Sequence, residues 1–171
     1  WHLPRHGMLS PDAFIPLAEE TGLIVPLGEW VLENALRQMA VWRARGFTSL
    51  QLAVNLSPKE FERHDLPERL LGRLSAHAIP AEVLDIEITE HLLMKDAEKN
   101  INMLKQLRHC GVRVSIDDFG TRYSSLNYLR RFPINNIKID QSFVRDLNPN
   151  NQSSTSIIHA IACIACSFGL R

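Results

Sequence analysis

The chain has 171 residues, 45% of them hydrophobic, with 19 basic and 19 acidic side chains, which suits one soluble globular domain of medium size. Zero formal net charge argues against the electrostatic footprint of a DNA- or RNA-polymer binder, while leaving room for a small phosphorylated ligand at a local site. No run of apolar residues is long enough to span a bilayer and no charged-then-apolar leader opens the chain, so neither a membrane contact by this segment nor a signal peptide is expected.

In chain order, "LSPDAFIPLAEETGL" places Ser10 as N-cap, Pro11 at the first helical position and Gly22 just past the helix end. "LGEWVLENALRQMAVWRARG" spaces Trp30, Leu32, Ala35, Leu36, Met39 and Trp42 at helical period, and Gly46 stops it. Four strand-like stretches follow: "LQLAVNLS", "VLDIEITE", "VRVSIDDF" and "NIKIDQSF". Helical patterns separate them, "LPERLLGRLSAHAI", "DAEKNINMLKQLRHCG" and the shorter "SSLNYLRRF". "NPNNQSS" (148–154) reads as a polar loop before a last helix, "STSIIHAIACIACSFG", with Leu170 and Arg171 starting another strand. The chain opens on Trp1 and stops on "SFGLR" without a closing cap, and is read as an excerpt. Its three cysteines, Cys110, Cys163 and Cys166, are odd in number and lie in helical patterns, which suits a reducing cytosol; a cytoplasmic location is expected.

Strands alternating with helices imply βαβ units and a parallel sheet. Asn55, Glu87 and Asp117 stand ~30 residues apart, about one crossover unit, and Lys138 follows a shorter step later. Parity separates an open doubly wound sheet from a barrel. Leu52, Val54 and Leu56 share one face, with Ala53 and Asn55 on the other. Leu84, Ile86 and Ile88 oppose Asp85, Glu87 and Thr89. Val112, Val114 and Ile116 oppose Arg113, Ser115 and Asp117, and Ile137 and Ile139 oppose Lys138 and Asp140. A sheet covered on both sides reads as continuous apolar runs, which these strands do not. A closed barrel, apolar outward and polar inward, accounts for them better, and its active site belongs at the carboxyl ends of the strands.

Asn55, Glu87, Asp117 and Asp118 all fall at such ends. Asp, Glu and Asn oxygens are the ligand set of a hard divalent cation such as Mg²⁺ or Mn²⁺, without which clustered carboxylates repel one another. Adjacent Asp117 and Asp118 could serve two ions, a geometry that activates water and stabilises a leaving oxygen at phosphorus. Lys138 is a point charge suited to positioning that water or neutralising phosphate, or a structural partner of Glu87 or Asp117.

"AFIPLAEETGLIVPLGEWVLENA", "VNLSPKEF", "IEITE", "SIDDFGTRYSSLNYLRRFP" and "IKIDQSFVRDL" together resemble the EAL domain family, the phosphodiesterases that cleave cyclic di-GMP. The resemblance runs from Trp1 to Arg171. It implies an α/β fold, a modified TIM-type (β/α)₈ barrel with one antiparallel strand. It also implies hydrolysis of cyclic di-GMP to linear pGpG with two Mg²⁺ or Mn²⁺ ions, inhibition by Ca²⁺, a homodimer, and a GGDEF or sensory domain in the parent chain. By the same resemblance Asn55, Glu87, Asp117 and Asp118 are metal ligands, Asp117 shared by both ions. Lys138 holds the attacking water, Asp140 supports from behind, and Glu90 pins the loop from Asp118 to Ser125 that couples metal binding to dimerisation. Glu87, Asp117 and Lys138 are thus the expected catalytic set.

Two departures accompany the resemblance. The chain lacks the Glu-Ala-Leu tripeptide that names the family, whose Glu is a ligand, and the later strands with further ligands. About half a barrel is then present, against ~250 residues for a whole one, and 171 residues alone are expected to be inactive and poorly folded. Arg122 stands where the family usually has glycine, at a cost of roughly 1–2 kcal/mol if the position needs positive φ. A catalytically silent EAL domain, acting as cyclic di-GMP receptor or scaffold, is the rival reading. A Schiff-base lysine at Lys138, as in an aldolase-like barrel, is a third. Bland readings are preferred for "CIAC" (163–166) as small core residues, for Trp30 and Trp42 as packing residues, and for Glu19 and Glu20 as solvent-facing. The seven histidines show no zinc spacing.

Overall fold

The computed structural model describes residues 1–3, 7–121, 126–145, 147 and 152–171. Arg122, with the rest of 122–125, lies outside the described residues, as does most of the expected loop at 148–154.

A two-residue hairpin, β1 (His2–Leu3) against β2 (Gly7–Met8), opens the chain. Helix α1 (Pro11–Thr21) starts after extended Ser10 and ends at Gly22 in the left-handed region, φ +79°, where glycine is the least strained residue. Helix α2 (Ile24–Ala44) buries Ile24, Leu32, Leu36 and Met39, so the inward stripe runs through Leu32, Leu36 and Met39 at helical spacing. Trp30 (64% exposed) and Trp42 (40%) lie off that stripe, which corrects the expectation that they pack inward. Two residues along a helix turn by about 200°, which carries Trp30 to the side of α2 away from Leu32.

The four expected strands are β3 (Leu52–Asn55), β4 (Leu84–Thr89), β5 (Arg113–Phe119) and β6 (Asn136–Ile139). They form one parallel sheet in the order β3-β4-β5-β6. Helices α3 (Pro58–Phe61) and α4 (Leu66–Ala76) return the chain from β3 to β4, and α5 (Glu90–Lys95) and α6 (Ala97–His109) from β4 to β5. Short α7 (Leu126–Leu129) precedes β6, and α8 (Gln141–Arg145) follows it. The last helix, α9 (Gln152–Ser167), takes in residues 152–154 that the polar composition assigned to a loop.

The sequence did not announce α3 or α5, each short and held by a local side chain. Ser57 accepts from the Glu60 backbone while Glu60 accepts from the Ser57 backbone, a reciprocal capping box. Thr89 caps α5, and buried Asn100 donates to the Leu92 and Leu93 carbonyls at 3.0 and 3.1 Å.

Packing follows the strand parity. Leu84, Ile86, Ile88, Val114 and Ile116 are wholly buried with Leu104 and Leu107 of α6 and Leu93 of α5; each such side chain stabilises by about 1.5–3 kcal/mol. On α9 the buried positions are Ser154, Ile161 and Ala165, the last two one turn apart, while Cys163 and Cys166 are exposed. The reading of "CIAC" as small core residues thus holds for Ile164 and Ala165 and fails for the two cysteines, which lie on the outer side of the helix. Glu20 is exposed, and Glu19 only partly so.

Beyond β6, the Arg171 N–H donates to the Asn135 carbonyl at 3.2 Å and its carbonyl accepts from Ile137 N–H at 2.8 Å. These two bonds straddle Asn136 as a parallel ladder does, so the sheet continues at Arg171. No helix among the described residues is long and apolar enough to cross a membrane.

Candidate functional site

The parallel registers align the polar positions. Asn55 pairs with Glu87, Glu87 with Ser115, and Thr89 with Asp117. Strict alternation would send Asp117 and Asp118 to opposite faces. Between β5 and β6, however, Ile116 pairs with Ile137 and Phe119 with Ile139, so Asp117 and Asp118 together face one residue, Lys138. This β-bulge inserts one extra residue, and Asp118 takes it up with φ +55°, a left-handed conformation that Asp tolerates better than most residues. Ile116 and Phe119 both remain buried, and both carboxylates stay on the polar side. Gly120 follows with φ +99°, and its N–H donates to Glu90 Oε2 at 3.1 Å.

Glu87 is nearly buried, 6% exposed, and its Oε2 accepts from Lys138 Nζ at 2.7 Å. The same ammonium stands 3.9 Å from Asp117 Oδ1. Burial pulls the Lys138 pKa down, but the Glu87 hydrogen bond and the charges of Asp117, Glu87 and Asp85 outweigh it, leaving the ammonium above its ordinary value. A neutral amine, which a Schiff-base nucleophile requires, is therefore disfavoured at Lys138.

Asp118 is pushed up, by burial first and then by the charges of Asp117 and Asp140, against the pull of Lys138. Asp140 is held low, chiefly by hydrogen bonds from the hydroxyl and then the backbone of Ser142; the Ser142 N–H donates to Asp140 Oδ1 at 2.7 Å. Asp118 and Asp140 thus shift in opposite directions, Asp118 up and Asp140 down.

Beneath this cluster lies a second polar layer. Ser115 Oγ donates to Asp85, and Asn136 Nδ2 lies 2.8 Å from both Asp85 Oδ2 and Ser115 Oγ. Arg113 Nη2 reaches Asn136 Oδ1 at 3.4 Å. Asp85, Ser115 and Asn136 fall one parity step before Glu87, Asp117 and Lys138, and Arg113 two steps before Asp117, a signal that was present in the sequence.

Glu87, Asp117, Asp118, Lys138 and Asp140 are thus brought together at the carboxyl ends of β4–β6. Asn55 is exposed and adjoins through its register with Glu87. Glu90 is buried and tied to Gly120. The donor set fits a hard divalent cation: all its acidic atoms are oxygens, and burial followed by the charges of Asp117 and Asp140 raises Asp118 against the pull of Lys138, so a bound cation would relieve it. The fit is to an open set. Among the described residues, no three Asp, Glu, His or Cys side chains already converge on one point, and Lys138 bridges two of the carboxylates.

The chain is similar to known proteins. The family model described as "EAL domain" matches residues 1–171. The bifunctional diguanylate cyclase/cyclic di-GMP phosphodiesterase MucR of Pseudomonas aeruginosa is 42% identical over all of this chain, which covers 25% of that protein. Cyclic di-GMP phosphodiesterase PdeR of Escherichia coli is 40% identical over all of this chain, covering 26% of that protein. Among solved structures, the cyclic di-GMP complex of the PaMucR phosphodiesterase superposes with a TM-score of 0.95 at 42% identity. That match covers 99% of this chain and 68% of the other. The chain therefore spans about a quarter of the length of these curated relatives.

Proposed function

This chain belongs to the EAL domain family, and from that premise we propose that it supplies part of the active barrel of a cyclic di-GMP phosphodiesterase, cleaving the cyclic dinucleotide to linear pGpG. The observation that carries the reading is the bulge at Asp117–Asp118, which gathers both carboxylates with Glu87 and Lys138 on one side of the strand ends. Relatives named cyclic di-GMP phosphodiesterases support the substrate class.

In this reading Asn55, Glu87, Asp117 and Asp118 hold two Mg²⁺ or Mn²⁺ ions, with Ca²⁺ inhibitory. When bound, such ions lower the pKa of water and stabilise a leaving oxygen at phosphorus. Lys138 Nζ, cationic and anchored on Glu87, orients the attacking water by donating to it and offsets phosphate charge. Asp140, fixed by Ser142, stands beside Asp118 and adds negative charge that a bound cation would offset. Glu90 holds the Gly120 backbone that follows the two aspartates. The domain works in the cytoplasm as a homodimer, within a longer chain that also carries a GGDEF or sensory domain.

A second reading, a silent cyclic di-GMP receptor, is favoured by one observation: among the described residues the carboxylates do not already converge as a closed ligand shell. Turnover of cyclic di-GMP by the intact protein with Mg²⁺, Mn²⁺ or Ca²⁺ separates the two. The enzyme is expected to release pGpG with Mg²⁺ or Mn²⁺ and not with Ca²⁺. Binding without pGpG under any of the three ions would establish the receptor.

A further inference from the structure

Asn55 ends β3, and the turn behind it is held from two sides. On the sheet side the Leu56 N–H donates to the Glu87 carbonyl at 2.9 Å. On the helix side the Ser57 N–H and hydroxyl both donate to Glu60 Oε2, at 3.1 and 2.6 Å. Glu60 is buried, and that burial raises its carboxyl despite the two Ser57 bonds. Its carboxylate lies against Gly28 of α2, where an added Cβ would fall within 2.7 Å of both oxygens. A cavity of about 20 Å³ is lined by Gly28, Asn55 and Glu60 together; it has room for about one water and too little for a substrate.

A capping box on α3 is the usual reading of Ser57 and Glu60. It accounts for the two hydrogen bonds but not for where they are made. A capping carboxylate works in water, whereas this one is enclosed, which is costly for a charged group. Gly28 lies inside α2 with no left-handed φ to require it, and alanine would be the better helix former there. Both costs fall on one contact, between α2 and the turn that follows Asn55. Without a Cβ at Gly28, the Glu60 carboxylate can rest on the α2 backbone and tie the turn to a helix of 21 residues.

Building on the assignment of Asn55 as a metal ligand, we propose that Glu60, seated on Gly28, is a positioning residue for Asn55. It braces the turn at 55–57 against α2, so that the Asn55 amide is held at the strand ends beside Glu87, and it does so without touching ion or substrate itself. Contacts that support a ligand act on metal affinity, commonly by ~10–100-fold. Glu60 works through the backbone of Ser57, so the low end of that range applies.

Two measurements on the intact protein test this, the first without metal. Hydrogen exchange read by mass spectrometry should be at least ~10-fold faster over 55–60 in Glu60→Ala and in Gly28→Ala, with β5 unchanged. Mn²⁺ titrated by calorimetry should bind both variants ~10-fold more weakly. Glu60→Gln keeps the acceptor and should stay close to wild type in both measurements. Adding Gly28→Ala to Glu60→Ala should bring little further loss, since the two remove one contact. Gly28→Ala keeps the test open if Glu60→Ala does not fold. A merely structural Glu60 would speed exchange across the whole sheet and leave Mn²⁺ affinity alone. Exchange over 55–60 that is unchanged in Gly28→Ala, or speeded equally in β5, would overturn the proposal, as would wild-type Mn²⁺ affinity in both variants. Asn55→Ala separates the two assignments: if it binds Mn²⁺ as wild type does, Asn55 is not a ligand, and exchange over 55–60 still decides whether Glu60 braces the turn.

Discussion

One substitution, glycine to alanine, should have opposite effects at two positions of this fold. At Gly120, φ is +99°, and an added Cβ would stand 3.0 Å from both Ile161 Cδ1 and Phe143 Cε2. The left-handed backbone costs an alanine roughly 1–2 kcal/mol. Crowding adds about 1 kcal/mol, the low end of overpacking, because two side-chain tips need yield only slightly. The sum is about 2–3 kcal/mol, which at ~2–4 °C per kcal/mol lowers the melting temperature by roughly 4–12 °C. At Gly72, within α4, an added Cβ meets nothing and no positive φ is required. Gly72→Ala should therefore gain about 0.5–1 kcal/mol from helix propensity, raising the melting temperature by roughly 1–4 °C. Differential scanning calorimetry of both variants beside wild type reads the two signs. If Gly120→Ala melts at or above wild type, the left-handed turn after Asp118 is wrong, and with it the account of how the paired aspartates are aimed. If Gly72→Ala melts as far below wild type as Gly120→Ala, the open outer face of α4 is wrong.

Asn100→Ala should cost about 2–4 kcal/mol in urea unfolding, because two buried carbonyls, of Leu92 and Leu93, lose their donor; a loss below about 0.5 kcal/mol would show that the side chain does not hold α5. Glu33 is held below its ordinary pKa, first by its hydrogen bond with His77 and further by Arg73. It therefore adds stability above the ordinary carboxylate value that is lost as pH falls through the lowered one. Glu33→Gln should then destabilise more near pH 7 than near pH 3, and equal loss at both would refute the pairing. Glu60 has the opposite sign: burial raises its pKa despite the Ser57 hydrogen bonds, so its contribution declines as pH rises from the ordinary value through the raised one. Glu60→Gln keeps an acceptor for the capping box and should flatten that decline; an unchanged pH profile would count against it.

Strand order and strand faces were legible because alternation has a period of two and each strand carries polar residues on one face toward its carboxyl end, among them Asn55, Glu87, Asp117 and Lys138. The helical stripe of α2 was legible at Leu32, Leu36 and Met39. Trp30 and Trp42 were misassigned because hydrophobicity alone does not say which side of a helix meets the sheet, and Cys163 and Cys166 failed for the same reason. Helices α3 and α5 are too short to show a period, and are specified by Ser57, Glu60, Thr89 and Asn100. The bulge was hidden. Alternation predicts opposite faces for Asp117 and Asp118, and only the spacing of Ile116 from Phe119, with Gly120 next, hints that an extra residue is inserted. The layer of Asp85, Ser115, Asn136 and Arg113 had the right parity, but it lies away from the carboxyl ends of the strands, where alternation alone does not tell a hydrogen-bonded layer from isolated polar residues.

The central claim is that oxygen donors at the strand ends act as one catalytic set, and its most direct test is cyclic di-GMP hydrolysis in Mn²⁺ by the intact protein, beside Glu87→Ala and Asp117→Ala. Wild type should release pGpG and each variant should lose at least ~10²-fold in rate, with far-ultraviolet circular dichroism unchanged. Turnover at the wild-type rate in either variant would contradict it.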